Sequence, residues 1–255
     1  MEWDVAIVGA GMGGAAFGYM LALTGHKVVF LEKGHAECPR SHQNDDPETP
    51  DPVTRLASGR WPTRIRGLVN DQPMLFFPAL GCGAGGSTLL YAGALERLSQ
   101  RDFRERSSTG QGPGWPIGYE ELAPFYHHAE QLFCVEGSPN PFEDGPAAAL
   151  RTPPAMSRSD AYLFELLERN GLRPYRAHNA HPAQSHAPGT APFSGSIRMN
   201  ARRAFIEPAL ATGNVTLIDC CTVERVDADR DQVQALVCRR DGQELVVKAG
   251  CYALA

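Results

Sequence analysis

Apolar residues open the chain in a short unbroken run, Val5 to Val8, and recur from Ala15 to Leu23, with Gly9-Ala10-Gly11-Met12-Gly13-Gly14 between the two runs. The first run has the length and β-branched content of a buried strand, and the second has the length and residue types of a helix. Gly25 closes that helix, and Lys27 to Leu31 reads as a second buried strand that finishes on Glu32. From Gly34 to about Pro78 no period holds, and the acidic run Asn44 to Pro52 reads as a solvated loop. Helical spacing returns over Pro116 to Phe133, where Pro124 is expected at the first helical position, and over Ser159 to Asn170, with Gly171 as its stop. Beyond Val215 the pattern turns to strands at Val215–Asp219, Thr222–Asp227, Val233–Arg240, Glu244–Lys248 and Cys251–Ala255, with Asp241-Gly242 as a hairpin turn. No repeat of solenoid period is present.

The glycines between the first strand and helix change this from a fold pattern into candidate chemistry. Strand, glycine turn and helix in direct succession form a dinucleotide fingerprint: Gly9 permits the tight turn, Gly11 lets backbone approach a pyrophosphate, and Gly14 lets the helix pack closely on the strand. Phosphate charge is favoured at the helix N-terminus, where free N–H groups and the dipole converge. Glu32, 18 residues after Gly14, is placed to accept hydrogen bonds from the ribose hydroxyls of an adenosine and to repel a 2′-phosphate. NADP is thereby disfavoured, while NAD and FAD stay open. A second stretch, Leu80 to Phe103, packs glycines between Gly81 and Gly86 ahead of Ser87 and Thr88. Such a backbone must approach something closely, with Ser87 or Thr88 expected to cap a short helix. A second backbone-made contact points to a longer cofactor.

Composition and charge narrow the partners. With 255 residues, 43% hydrophobic and 21% charged, the chain has enough apolar content for a packed core, and a net charge of −5 provides no basic footprint for nucleic acid. No apolar run is long enough to span a bilayer, and the first residues lack the basic and apolar regions of a signal peptide, so a cytoplasmic location is expected, or export together with a targeted partner subunit. Seven scattered cysteines without C-x-x-C spacing are expected as reduced thiols. Cys220 and Cys221, neighbours in a strand, point to opposite faces and read as one buried and one exposed thiol.

Both glycine motifs, together with "WPIGYEELAPFYHHAEQLFCVEG" from Trp115 and "RRAFIEPALATGNVTLIDCCTVERVDAD" from Arg202, resemble the N-terminal, FAD-binding half of the glucose-methanol-choline oxidoreductases. Within that family the gluconate dehydrogenase and cholesterol oxidase-like branches are the most similar. The resemblance implies an α/β fold, a Rossmann-like parallel sheet of the two-dinucleotide-binding flavoprotein type, with an inserted antiparallel β-meander. The whole of 1–255 then reads as the FAD-binding domain, with 34–80 covering the flavin and 138–200 an irregular, partly helical insertion on the substrate side. It also implies FAD held by Gly9, Gly11, Gly13 and Gly14 at the pyrophosphate, by Glu32 at the ribose, by Gly85, Gly86, Ser87 and Thr88 along the phosphates and flavin, and by the backbone of Val223 at the adenine. The implied reaction oxidises an alcohol, sugar or sterol CH–OH group by hydride transfer to flavin N5, with oxygen, a quinone or a cytochrome subunit as acceptor.

The chain departs from the family pattern in two places. Tyr91 stands where many members place Asn or His near the flavin, and the Cys-rich run of the gluconate-like branch is absent from "HNAHPAQSHAPGTAPFSGS". The family's catalytic His and its companion match no residue here, so the sequence is expected to be truncated inside its cofactor domain and inactive alone, and no catalytic residue is assigned. A non-catalytic short form that binds a nucleotide or a partner protein, and an NAD-binding dehydrogenase domain, are the alternatives.

Other groupings carry less. His178, His181 and His186 fall close together but lack a fourth ligand and read as a solvated polar loop rather than a metal site. His127 and His128, neighbours on a helix, diverge by about 100° and do not chelate together. A hydrolase elbow of the form G-x-S-x-G is missing.

Overall fold

A computed structural model describes residues 3–37, 49–104, 115–143, 148–180 and 198–255, which fall into two compact units, Met1–Tyr91 with Asn200–Ala255, and Ala92–Met199. In the first unit, β1 (Trp3–Val8), α1 (Met12–Leu23) and β2 (Val28–Leu31) form the expected strand–helix–strand unit. The two strands pair in parallel, Val5 opposite Val28 through Val8 opposite Leu31. All four residues of β2 are buried. A strand covered on both faces has no polar alternation to show, which is why it reads as one continuous apolar run. Each such side chain withdrawn from water contributes roughly 1.5–3 kcal/mol.

Small residues on α1 set how near it lies to the sheet. A Cβ on Gly18 would stand 2.2 Å from the Phe30 ring and 2.9 Å from Ile7 Cδ1, so the buried face of α1, made of Gly14, Ala15, Gly18 and Ala22, fits against β1 and β2 only because it is nearly bare. The helix begins three residues earlier than its apolar run predicts, because Gly13 and Gly14 join its first turn.

Distant strands complete this sheet. The order is β5 (Val215–Ile218), β2, β1 and β9 (Ala249–Leu254), all parallel, with Val28 opposite Val215 and Val5 opposite Cys251. Between β5 and β9 the chain makes the antiparallel meander β6 (Cys221–Ala228), β7 (Val233–Arg240) and β8 (Gln243–Val247). Its last turn has left-handed Asp241 (φ 51) and Gly242 (φ 77), the backbone that a two-residue hairpin with the correct twist requires. One core cluster lies between the parallel sheet and the meander, where Ala6, Val29 and Leu31 meet Cys221, Leu236, Cys238 and Val247. The parallel sheet and inserted meander are those the resemblance implies.

The stretch from Gly34 to Pro78 is more regular than its sequence suggests. It holds α2 (Pro52–Ala57), capped by Asp51, whose carboxylate accepts from Thr54 N at 2.9 Å, and a hairpin of β3 (Ile65–Val69) and β4 (Gln72–Phe76). The hairpin escapes detection because its turn is Asn70-Asp71 instead of Asn-Gly, and because Pro73 argues against a strand. Both turn residues are left-handed, at φ 50 and φ 60. Most of the acidic run, residues 44–48, lies outside the described residues.

The second unit contains α3 (Gln100–Arg104), α4 (Tyr119–Leu132) and α5 (Arg158–Arg169). Pro124 sits inside α4, not at its start. The helix begins earlier, with Gly118 as its N-cap and the Gly118 N–H donating to Glu121 Oε1 at 3.0 Å. In α5 the Ser157 hydroxyl caps the start by accepting from Asp160 N at 3.1 Å, and Gly171 (φ 77) follows the end as expected.

Candidate functional site: two glycine loops and a buried carboxylate

The first glycine turn leaves β1 at Val8 and enters α1 at Met12 with Gly11 as the N-cap. Gly9 has φ 94, a backbone that costs any side chain strain, and a Cβ there would stand 2.7 Å from the Ala255 carbonyl oxygen. At Gly14 an added Cβ would reach 2.3 Å from Gly9 O and 3.2 Å from Ile7 Cγ2, which is the close packing of helix on strand expected of this position. Gly13 differs, since nothing lies within 4 Å of where its Cβ would be.

Glu32 follows β2 directly and is 6% exposed. Its Oε2 accepts the Ala10 N–H at 2.9 Å and its Oε1 accepts the Gly34 N–H at 2.8 Å. The carboxylate therefore ties the glycine turn to the loop after β2. An ionised carboxylate offers about four acceptor positions, so both oxygens keep capacity for a further donor such as a hydroxyl.

The second glycine stretch docks on the first through backbone alone. Gly85 N donates to Ala10 O at 2.8 Å, and Ala84 N to His35 O at 3.1 Å. Gly86 has φ 54, and a Cβ on it would come within 2.8 Å of Gly11 Cα. Gly34 is just as confined, with its Cβ position 2.5 Å from the Cys82 carbonyl carbon and Gly83 N. Segment 59–61 flanks this loop, with Cys82 N donating to Gly59 O at 2.9 Å and Trp61 N to Leu80 O at 3.0 Å.

Ser87 and Thr88 do not cap a following helix as expected. They lie inside a short 3₁₀ turn, Gly86–Leu89, and tie loops together. The Thr88 hydroxyl donates to Gly85 O at 2.5 Å and accepts from Ala201 N at 2.9 Å, while Ser87 Oγ accepts from Gly81 N at 3.2 Å. A hydroxyl bond across 113 residues leaves no local signal, whereas a cap does. Gly9, Gly11, Gly13, Gly14, Glu32, Gly85, Gly86, Ser87 and Thr88 thus belong to one pair of interlocked loops. Val223 stands apart on β6, half-buried opposite Cys238, two residues after Cys221 N donates to Glu32 O at 2.9 Å. Tyr91 is half-buried just past the 3₁₀ turn.

Beside these loops is a grouping that the sequence reading missed. His35 Nδ1 lies 3.2 Å from Cys220 Sγ, and a carboxylate oxygen of Asp219 joins them, all three side chains half-buried. Burial, followed by the charges of Asp219 and Asp241, pushes the Cys220 thiol up from its ordinary range. The only local hint was Asp219 beside the paired cysteines, and His35 is 185 positions from Cys220, which sequence spacing does not reveal. Cys221 is buried, whereas Cys220 is half-buried instead of exposed and sits between β5 and β6 at φ 49, so strand alternation does not set the difference between the two thiols. His178, by contrast, is not solvated. It is 3% exposed, with Nε2 2.9 Å from Ser138 O and Nδ1 3.0 Å from Glu96 Oε2, while His181 and His186 lie outside the described residues.

Comparison with known proteins agrees with this geometry. Residues 7–69 match the NAD(P)-binding Rossmann-like domain, a span that takes in the first glycine turn and Glu32. The chain is 36% identical over 140 residues to 2-methyl-1,2-propanediol dehydrogenase of Mycolicibacterium austroafricanum, covering 53% of this chain and 25% of that protein. It is 27% identical over 169 residues to the fructose dehydrogenase large subunit of Gluconobacter japonicus, covering 60% and 31%. The fold superposes on pyridoxine 4-oxidase of Mesorbium loti with a TM-score of 0.65 at 19% identity, over 99% of this chain and 49% of the other. These similar proteins are FAD oxidoreductases of the glucose-methanol-choline type, the family that the sequence motifs resemble. Less than half of each relative's length is matched. Among the described residues no helix is long and apolar enough to cross a membrane. The Rossmann-like match over the first glycine turn and Glu32 fits a dinucleotide cofactor.

Proposed function

We propose that this chain supplies the FAD-binding part of an oxidoreductase that acts on the CH–OH group of an alcohol, sugar or sterol. The observation that carries the reading is the seating of the second glycine loop on the first, Gly86 against Gly11 and Gly85 N on Ala10 O, beside Glu32. A single glycine turn serves a dinucleotide of either kind; two interlocked ones present backbone along a longer group. In this reading Gly9, Gly11, Gly13 and Gly14 receive the pyrophosphate at the start of α1, where free N–H groups face it. The space beside Gly13 leaves room for that approach. Glu32 accepts the adenosine ribose hydroxyls while holding Ala10 N and Gly34 N, and its negative charge turns away a 2′-phosphate. Gly85, Gly86, Ser87 and Thr88 line the phosphate and flavin side, and the Val223 backbone meets the adenine.

A bound flavin supplies a two-electron acceptor for the hydride leaving the alcohol carbon. The residues described here bind and orient; none is assigned as the base that takes the hydroxyl proton. The acceptor that reoxidises the flavin is oxygen, a quinone or a cytochrome subunit. The names of the relatives support both kinds, since one is an oxidase and another the large subunit of a dehydrogenase.

Visible absorption of the purified protein after incubation with FAD and desalting tests the reading, run in parallel with NAD and on the longest natural polypeptide that contains this sequence. Retained flavin absorption is expected, lost in Glu32→Ala while the circular dichroism of the fold persists. A folded, colourless protein that retains NAD would overturn it in favour of a nicotinamide dehydrogenase.

A further inference from the structure

Three side chains that the cofactor reading does not use converge at the far end of the loop after β2. His35 offers Nδ1, Cys220 offers Sγ and Asp219 a carboxylate oxygen, and these atoms all lie within 4.8 Å of one another. Ligands on a tetrahedral ion with bonds of 2.0–2.3 Å stand about 3.5 Å apart. The His35–Cys220 pair, at 3.2 Å, is already within a few tenths of that spacing, and a carboxylate oxygen of Asp219 lies within 4.8 Å of both.

The backbone on both sides is fixed. Cys220 N donates to Gly34 O at 3.0 Å, Ala36 N donates to Asp219 Oδ2 at 2.9 Å, and Ala84 N donates to His35 O at 3.1 Å. Cys220 is held at φ 49, a left-handed conformation that a non-glycine residue keeps only where its surroundings enforce it. That conformation, reached between the end of β5 and the start of β6, turns the thiol toward His35 while Cys221 enters the core. Arg240 Nη2 donates to Asp219 Oδ1 at 3.1 Å, the kind of outer partner that orients a ligating carboxylate without exhausting its lone pairs.

We propose that His35, Asp219 and Cys220 form a site for a divalent cation of the zinc class, with the fourth coordination position open to solvent. One nitrogen, one thiolate and one carboxylate make a borderline-soft donor set, which suits zinc or cobalt(II) and not magnesium or calcium. Coordination replaces the Cys220 S–H with an S–metal bond and releases that proton to solvent. The cation clasps the loop after β2 to the β5–β6 junction. Because Gly34, whose carbonyl holds Cys220 N, also donates to Glu32 Oε1, occupancy stiffens the segment on which Glu32 depends.

The test is titration of chelator-treated, reduced protein with cobalt(II) under anaerobic conditions. One equivalent is expected to produce the thiolate-to-cobalt charge-transfer band and the intense visible bands of a four-coordinate ion, both removed by zinc and left unchanged by added magnesium. Cys220→Ser should abolish the charge-transfer band, and His35→Gln and Asp219→Asn should each weaken binding at least about tenfold. Cys251→Ser, which changes an exposed thiol elsewhere, should leave the spectrum intact. A folded wild-type protein without these bands overturns the site, as does a band that survives Cys220→Ser or disappears with Cys251→Ser. If Cys220→Ser does not fold, the decision passes to His35→Gln and Asp219→Asn, and unaltered spectra and affinity in both overturn the proposal. These readouts need no flavin, so they stand or fall separately from the cofactor assignment.

Discussion

Gly86 and Gly13 are both glycines of the loop pair, yet their surroundings assign them opposite sensitivities. Gly86 combines φ 54 with a Cβ position 2.8 Å from Gly11 Cα, so an added methyl strains its own backbone and pushes the two loops apart. Gly86→Ala should cost about 1–3 kcal/mol and remove dinucleotide binding. Gly13 lies in the first turn of α1 with nothing within 4 Å of its Cβ position. Gly13→Ala should leave stability unchanged or raise it by up to about 1 kcal/mol, because alanine loses less entropy in a helix. Its effect on binding reports whether a ligand occupies the open space: a stable Gly13→Ala protein with weakened FAD binding places the phosphates there, and undiminished binding places them elsewhere. Chemical denaturation with flavin titration of both variants gives all four values. The roles of Gly9 and Gly14 were legible in the sequence, since left-handed turns and helix-on-strand contacts leave a local glycine pattern. The partnership of Gly86 with Gly11 was not, because only the fold reveals which backbones touch.

At the scale of elements, what could be read was what is periodic or locally turned. β2 announced itself as an apolar run, α5 by its stripe and stop, and β7–β8 by Asp241-Gly242. The β3–β4 hairpin was lost because its turn is Asn70-Asp71 and its strands are largely exposed. The start of α4 was lost because a glycine cap backed by Glu121 is a weaker sequence signal than proline. Nor does sequence reveal the contact on which α4 most depends. Arg97 and Glu130, 7% and 5% exposed, form a two-pronged ion pair at 2.5 and 2.7 Å, and Glu130 Oε2 also accepts Ala149 N at 2.6 Å. The carboxylate keeps the Arg97 guanidinium firmly charged. Removing one member strands the other in a dry setting, so Glu130→Leu or Arg97→Met alone should destabilise the second unit by about 3–5 kcal/mol. The double variant should cost less than either single one, since it leaves no unpaired charge. Urea unfolding of the four proteins measures this, and strictly additive losses would show that the pair is not coupled.

For the first unit as a whole, the decisive feature is that one core joins two sheets that the chain visits at opposite ends, and titratable atoms lie inside it. Cys238 is fully buried between the parallel sheet and the meander, and Cys221 lies in the same cluster. Burial, reinforced by the neighbouring Cys221 thiol, pushes Cys238 up to about 12 from an ordinary value of 9. A thiol whose value is raised by folding favours the folded chain only while it stays protonated. Its contribution is therefore fully present below pH 9, where the unfolded chain also keeps the proton, and is lost as pH rises toward about 12. Melting temperature should fall with pH above 9, and less steeply in Cys238→Val, which retains a small apolar side chain in the strand but has no proton to lose. Lysine and tyrosine titrate in the same range, so the informative quantity is the difference in slope between the two proteins. Equal slopes would mean that the core opens before this thiol ionises, and that the meander separates from the parallel sheet more easily than their shared burial implies.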